Sequence, residues 1–416
     1  IKLNTKISSK IEFEKYITTL VLVAIAVYGL HYHLAKTLMH LAAVLSLVNI
    51  AIAILKNEGD RISTPDNIKI FMGLLSLSAV AVGLYASFND DRVSIRFFKD
   101  FSLTAIYIVI ICPSLKVNYI SLKKFQGTIL LSCTLMALVG IYDSLINNVA
   151  RTSVSINLPI IYATNLAVLT TASLIVIVNN LVKKQLLISF FAILAFTLGI
   201  IGISLSGSRG PLIAVFLVAT LIMIIVGFNS FSKTKSIIIS MILLALATLV
   251  INELPIGKRI KAGVINASSE NHNTSIGIRF QLWQAGLKTL VEKPLLGTGI
   301  ANHNEFFKEK LKSDSKFIHS SAMNFIHLHN DILNIVVWMG VFFGGLFFAY
   351  IIYSCYIFSK NCKDNFYGAL GLTACITFLS CGLTNTPSMR AASLTLFLLI
   401  LVISHHAIAS KCQKVA

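Results

Sequence analysis

The chain has 416 residues and a formal net charge of +18, yet only 12% of its residues are charged. Hydrophobic residues make up 56% of the sequence, and the mean hydropathy is +0.81. A soluble protein of this length needs far more charge to cover its surface. The composition therefore excludes a soluble globular protein and indicates an integral membrane protein.

Apolar stretches close to the ~20 residues that cross a bilayer recur along the whole chain. Because unpaired backbone groups are costly in lipid, we expect these stretches to be α-helices. The sequence predicts an all-α, polytopic integral membrane protein with about twelve transmembrane helices. The predicted spans are 17–36, 38–55, 68–88, 102–119, 127–147, 158–180, 186–206, 211–228, 236–253, 332–357, 366–385 and 391–409.

One long segment interrupts this series and divides the chain into three parts. Residues 1–253 hold predicted helices one to nine, residues 254–331 form a large loop, and residues 332–416 hold helices ten to twelve. The loop is expected to contain amphipathic helices. The first lies within GIRFQLWQAGLKTLVEKPLLGTG, residues 277–299, which has apolar residues at helical spacing and ends in a turn with proline and glycine. The second is NEFFKEKLK. The apolar residues of the first helix are Phe280, Trp283, Leu287 and Leu290.

The distribution of basic residues predicts the orientation of the chain. With the N-terminus in the cytoplasm, twelve spans place both termini and most lysines, such as Lys123, Lys124, Lys183 and Lys184, on that side. The short exterior loops hold only Lys36, Arg92, Arg96, Lys99, Arg151, Arg209 and Arg390. This asymmetry follows the positive-inside rule and puts the large loop outside. It also argues against nucleic acid as the reason for the net charge.

Residues 204–216, SLSGSRGPLIAVF, place Arg209 in a tight turn beside the start of a helix. Proline is well tolerated in the first turn of a helix, so Pro211 is expected to open span eight. Free backbone N–H groups, the helix dipole and a guanidinium together favour an anion such as phosphate. The alternative is an arginine that reaches the lipid headgroups. Arg279, in the loop helix GIRFQLW, is either a second anion ligand or an ordinary solvated arginine.

The stretch HLHND, residues 327–331, ends the loop just before an apolar helix. Asn330 or Asp331 is expected to cap that helix, with His329 just outside it. The helix N-terminus disfavours a charged imidazole, so a neutral His329 is able to take a proton from a hydroxyl. A capping cluster with incidental histidines is one alternative. A metal site is another, formed by His303, His319, His327 and His329, although their spacing matches no recognised zinc pattern.

These motifs resemble those of bacterial O-antigen ligases, within the larger group that includes O-antigen polymerases and O-linked oligosaccharyltransferases. The resemblance lies in SGSRGPLIA, in GIRFQLWQAGLKTLVEKPLLGTG and in HLHND followed by an apolar helix. It implies that Arg209 and Arg279 bind undecaprenyl diphosphate and that His329 activates the acceptor hydroxyl. It further implies an inverting, metal- and cofactor-independent transfer of a glycan to lipid A–core, at the periplasmic face of the bacterial inner membrane.

His327, Asn330 and Arg390 are further candidates for contact with the substrate. The sequence departs from the family pattern at two places. The second glycine of the ligase motif is expected at position 343, which is Phe343, and Gly344 follows it. Asn385 stands where some ligases carry an acidic residue.

Two classes of alternative remain at the level of sequence. A polymerase or a protein O-oligosaccharyltransferase shares the arginines but uses a different acceptor. A secondary transporter or flippase is also compatible with twelve spans, although transporters usually place polar groups near mid-membrane, whereas the polar motifs here gather at one face.

Overall fold

The structure is a computed structural model that describes residues 13–59, 62–87, 92–156, 158–227, 241, 275–299, 303–312, 322, 325 and 327–415. Regular secondary structure within these residues is helical, and no β-strand occurs among them. The α-helices are α1 Phe13–Val27, α2 Tyr32–Leu55, α3 Asp66–Ser87, α4 Arg92–Ile111, α5 Leu122–Leu145, α6 Pro159–Val182, α7 Leu186–Leu205, α8 Arg209–Ile222, α9 Ser275–Glu292, α10 His303–Lys312, α11 Asp331–Asn361, α12 Phe366–Gly382 and α13 Ala391–Val415. A π-helical turn, Met223–Gly227, extends α8.

Among the described residues, eight helices are long and apolar enough to cross a membrane. They are α2, α3, α5, α6, α7, α8 with its π-helical turn, α11 and α13, and α12 is a shorter apolar helix. The prediction of an all-α, polytopic membrane protein is confirmed, with eight candidate spans among the described residues. The predicted ninth span, 236–253, lies outside the described residues apart from position 241. The number of twelve spans and the three-part division of the chain stay predictions.

Two predicted boundaries are wrong. The first span was expected to run through 17–36, but α1 ends at Val27 and α2 begins at Tyr32. His31 caps α2, because its Nδ1 accepts a hydrogen bond of 3.2 Å from the Leu34 backbone N–H. The helix assigned to the fourth span starts at Arg92 instead of 102. Its first turns carry charged residues, which lower the local mean hydropathy below that of a membrane span.

Two helices form the centre of the bundle. The most apolar stretch of α6 is 89% buried and that of α13 is 94% buried, whereas the corresponding stretches of α2 and α7 are 33% and 39% buried. Large apolar side chains on the outer helices, such as Leu187 and Phe190 of α7, are exposed. A surface of this kind suits contact with lipid rather than water. The outer helices therefore surround α6 and α13.

The loop that follows α9 is joined to a kink in α11. Gly340 interrupts α11 with a φ of 73° and a ψ of 174°. The backbone N–H of Gly299 donates to the carbonyl of Trp338 at 3.0 Å, and that of Val341 donates to the carbonyl of Pro294 at 2.8 Å. The loop thus takes up backbone groups that the kink leaves unpaired. Past the kink, a Cβ built on Gly344 lies 3.2 Å from the Val336 side chain, so this displaced glycine also permits close packing.

The kink predicts a large difference between two glycines of the same helix. A Cβ at position 340 would lie 2.1 Å from the carbonyl oxygen of Leu295, on a backbone with positive φ, whereas one at 345 meets no atom within 4 Å. We expect Gly340→Ala to destabilise the protein by about 2 kcal/mol or more, because a left-handed backbone alone costs ~1–2 kcal/mol. Gly345→Ala is the matched control and should unfold at the wild-type temperature. Thermal unfolding of the purified proteins in detergent measures both, and an unchanged Tm for Gly340→Ala contradicts the assignment of the kink.

Candidate functional site

Arg209 is the first residue of α8 and follows a compact turn. Helix α7 ends at Leu205, Gly207 has a φ of 66°, and Ser208 stands at the N-cap of α8 with extended backbone. The helix thus begins two residues before Pro211, the residue expected to open it. A Cβ on Gly210 would lie 1.9 Å from the Thr384 Oγ1. Only a glycine therefore allows the arginine turn to pack this closely against the segment between α12 and α13.

Arg279 reaches the same segment from the loop helix α9. Its Nη2 donates a hydrogen bond of 3.4 Å to the Thr384 backbone carbonyl. Arg279 is the fifth residue of α9, just past its first turn, because the helix starts at Ser275. Thr384 therefore contacts both arginine segments: Gly210 packs on its side chain, and Arg279 binds its carbonyl.

The two guanidiniums lie close enough to affect each other's charge. Burial lowers the pKa of Arg279 below its usual range, and the positive charge of Arg209 lowers it further. Among the described residues, the structure records no ion pair for Arg279. Two neighbouring positive charges repel each other, and an anion bound between them removes that repulsion. The arrangement is therefore well suited to bind a phosphate or diphosphate.

His329 is an electrostatic neighbour of Arg279. Burial, then His327, and then the positive charge of Arg279 lower the pKa of His329 to about 3. Its backbone has a φ of 50°, which is uncommon for a residue with a side chain and is often found at functional sites. The imidazole is therefore neutral near pH 7, and its Nδ1 has no hydrogen-bond partner among the described residues.

The backbone next to His329 is fixed by the start of α11. Asn330 is the N-cap residue, and its Oδ1 accepts a hydrogen bond of 3.0 Å from the Leu333 backbone N–H. The ring of His329 packs edge-on against His327, with ring centroids 4.2 Å apart, and against Phe325 at 5.0 Å. The imidazole therefore has a defined position between two aromatic rings.

Arg390 and His327 extend this row of basic groups. Burial lowers the pKa of His327, and the positive charge of Arg390 lowers it further. The pKa of Arg390 is itself lowered, by burial and then by Arg96, while Asp100 acts in the opposite direction. Arg209, Arg279, His329, His327 and Arg390 thus follow one another as electrostatic neighbours. The structure brings these five basic groups together from four distant parts of the chain.

Asn334 holds the histidine segment in place and was not recognised in the sequence. From the first turns of α11, its Oδ1 accepts a hydrogen bond of 3.0 Å from the Leu328 backbone N–H. Its Nδ2 lies 3.3 Å from the sulfur of Met389, next to Arg390. On the opposite side, the Trp283 Nε1 donates to the Leu328 carbonyl at 3.0 Å. Leu328, between the two histidines, is therefore tied to both α9 and α11.

Asp331 makes a second link between the same segments. It is only 3% exposed, and its Oδ2 accepts hydrogen bonds from the Ser388 backbone N–H, at 3.1 Å, and from the Ser388 hydroxyl. A carboxylate and an amide, Asp331 and Asn334, in the first turn of an apolar helix were the available sequence signal. Asn385 is buried in this segment too, and its Nδ2 has no hydrogen-bond partner among the described residues. The side chains of His303 and His319, which the metal alternative requires, lie outside the described residues.

Comparison with known proteins identifies the segment that contains most of this site. Residues 190–349 match the model of the O-antigen ligase family. This range includes Arg209, Arg279 and His329. An uncharacterized protein of Haemophilus influenzae is 32% identical over 185 residues, which cover 42% of this chain and 45% of the relative. The chain thus matches less than half the length of that relative. The match over residues 190–349 supports the resemblance that the motifs predicted.

Proposed function

We propose that the protein transfers O-antigen polysaccharide from undecaprenyl diphosphate to a sugar of lipid A–core. The proposal includes inversion at the anomeric carbon and no need for a metal ion. The observation that carries it is the position of His329 beside Arg279 and Arg209, inside the segment that matches the O-antigen ligase family. The site would face the periplasm from the inner membrane, with both termini in the cytoplasm.

Arg209 and Arg279 are proposed to bind the diphosphate of the donor. Guanidinium groups form bidentate, charge-assisted hydrogen bonds with phosphate oxygens. Negative charge develops on the leaving diphosphate as the bond to the sugar breaks, and fixed positive charges lower the energy of that state. The backbone N–H groups at the start of α8 add further donors next to Arg209.

His329 is proposed to act as the general base. It takes the proton of an acceptor hydroxyl while that oxygen bonds to the anomeric carbon of the donor sugar. The bond between this carbon and the diphosphate oxygen breaks, and undecaprenyl diphosphate leaves with the electron pair. Attack from the face opposite the leaving group inverts the configuration. A pKa far below neutrality keeps the imidazole unprotonated at neutral pH, as a general base requires.

His327 and Asn330 are proposed to border the bound sugars. The ring of His327 packs against that of His329, so a sugar that reaches the base also contacts His327. The Oδ1 of Asn330 is used to cap α11, which leaves its amide nitrogen to contact a substrate hydroxyl.

Reconstitution of the purified protein with donor lipid and rough lipopolysaccharide tests the reaction. The proposal predicts long glycan bands on lipopolysaccharide gels. Elongation of the lipid-linked glycan instead would indicate a polymerase, and transfer to a protein acceptor would indicate an O-oligosaccharyltransferase. Movement of the donor lipid across a vesicle membrane without any new glycosidic bond would indicate a flippase. Each of these three outcomes contradicts the ligase assignment.

We predict that Arg209→Ala, Arg279→Gln and His329→Ala each abolish transfer while the protein still inserts into the membrane. Loss of a charge-stabilising donor or a general base typically costs about 100-fold or more in rate. The matched control is Lys288→Gln, which removes an exposed positive charge from the same helix as Arg279. Initial rates with saturating donor measure the effect. Wild-type rates in His329→Ala would remove the histidine from the mechanism.

The low pKa of His329 predicts the pH dependence of transfer. A base must be unprotonated to act, so kcat/KM falls only as the pH drops through the pKa of this histidine in the free protein. Because that pKa is about 3, we expect kcat/KM to vary less than about twofold between pH 8 and pH 5.5. An ordinary histidine would give a clear decline near pH 6.5. Such a decline, if it persists in a variant without His327, would contradict the assignment of His329 as a neutral, buried base.

A further inference from the structure

A second group of positive charges lies beyond the histidines. We call the set of Lys36, Arg96 and Arg390 around Asp100 the second cationic cluster. Arg96 and Asp100 are four residues apart on α4 and therefore share one helix face. The Asp100 carboxylate lies against the backbone N–H of Ala391, directly after Arg390. This contact places the charged face of α4 at the start of α13.

The backbone on which the cluster is built is held from several sides. The Tyr28 hydroxyl donates to the Ala392 carbonyl, and the Asn165 Nδ2 donates to the same carbonyl at 3.2 Å. Ser388, two residues before Arg390, is bound by the buried Asp331. The position of Arg390 is thus determined by α1, α6 and α11 together, rather than by a free surface loop.

The cluster carries more positive than negative charge. Lys36, Arg96 and Arg390 all influence the Asp100 carboxylate, so three cations surround one anion. Lys36 and Arg96 are exposed, whereas Arg390 is half-buried. A single cation would be enough to neutralise Asp100. The charge in excess of Asp100, next to a half-buried guanidinium, attracts a further anion.

The cluster and the arginine pair act on different histidines. Arg279 acts on His329, while Arg390 acts on His327, and the two imidazole rings are 4.2 Å apart. The acceptor hydroxyl must reach the proposed base while the donor diphosphate stays bound. If Arg209 and Arg279 bind the donor diphosphate, the second cationic cluster is a separate group of positive charges that is available to the acceptor.

We propose that the second cationic cluster binds an anionic group, phosphate or carboxylate, that is carried by the sugars of the acceptor glycolipid. This inference rests on the proposed function and adds the chemical class that the acceptor must have. Lys36 and Arg96 give the acceptor its first contact, and Arg390 directs it towards the histidines. The headgroup of an anionic phospholipid offers the same chemistry, so the experiment must separate the two sources.

The test measures transfer in nanodiscs of phosphatidylcholine with two matched acceptors: rough lipopolysaccharide with phosphorylated core sugars, and the same molecule with core sugars that lack anionic groups. The variant is Lys36→Gln combined with Arg96→Gln. Both residues are exposed, so the variant should fold normally. The matched control, Lys99→Gln, removes an exposed charge from α4 that is not part of the second cationic cluster.

We expect the wild-type protein and the control to prefer the phosphorylated acceptor. In the variant, KM for this acceptor should rise about fivefold or more, since charge-assisted contacts of this kind contribute up to about tenfold each. KM for the acceptor without anionic groups and KM for the donor should stay unchanged. The same acceptor preference in the variant and the wild type overturns the inference, and so does a rise in the donor KM alone.

Two further arms separate the remaining explanations. Addition of phosphatidylglycerol to the nanodiscs shows whether the variant has lost a phospholipid site. A defect that appears only with this lipid, for both acceptors alike, overturns the inference. Direct binding of the two acceptors is measured in the same nanodiscs. Absence of transfer by the wild-type protein contradicts the proposed function. In that case, tighter binding of the phosphorylated acceptor to the wild type than to the variant still supports the cluster.

Discussion

The account depends on the close approach of two positive charges, Arg209 and Arg279. Like charges in close proximity repel each other by a few kcal/mol at the screening typical of protein sites. Packing and a hydrogen bond nevertheless hold the two arginine segments together. Gly210 lets its turn pack against Thr384, and the Thr384 carbonyl binds Arg279. A diphosphate between the two guanidiniums would convert the repulsion into attraction.

Polar side chains at the start of α11 and in α9 join the segments that form this site. Asn334 and Asp331 connect the histidine segment to the residues before α13, and Trp283 connects it to α9. The kink at Gly340 then connects α11 to the turn that follows α9. Because every segment that carries a basic group is tied to at least one other, a shift of the loop helix would also move the histidines.

Local features of this site were readable from the sequence because they depend on neighbouring residues. The cap at Asn330 and the turn around Arg209 follow from the preferences of Asn, Gly, Ser and Pro. The apolar spacing of Phe280, Trp283 and Leu290 likewise predicted the loop helix α9. In the same way, hydropathy located most of the membrane-spanning helices, but it misplaced helix starts that carry His31 or Arg96.

The contacts that assemble the site could not be predicted from the sequence, since they join residues far apart in the chain. Nothing in the sequence around Thr384 shows that its carbonyl binds a guanidinium from α9. The hydrogen bond between Asp331 and Ser388 joins residues that are 57 positions apart, so no local sequence pattern indicates it. Nothing in the sequence around Gly340 shows that it admits the backbone of Leu295.

The most direct test of the central claim is the affinity of the purified protein for a prenyl diphosphate, measured by calorimetry without any acceptor. Arg209→Gln and Arg279→Gln should each weaken binding by about tenfold or more, as expected for the loss of a charge-assisted contact with phosphate. Wild-type affinity in both variants would show that the two guanidiniums do not bind the donor, and the account would be wrong at its centre.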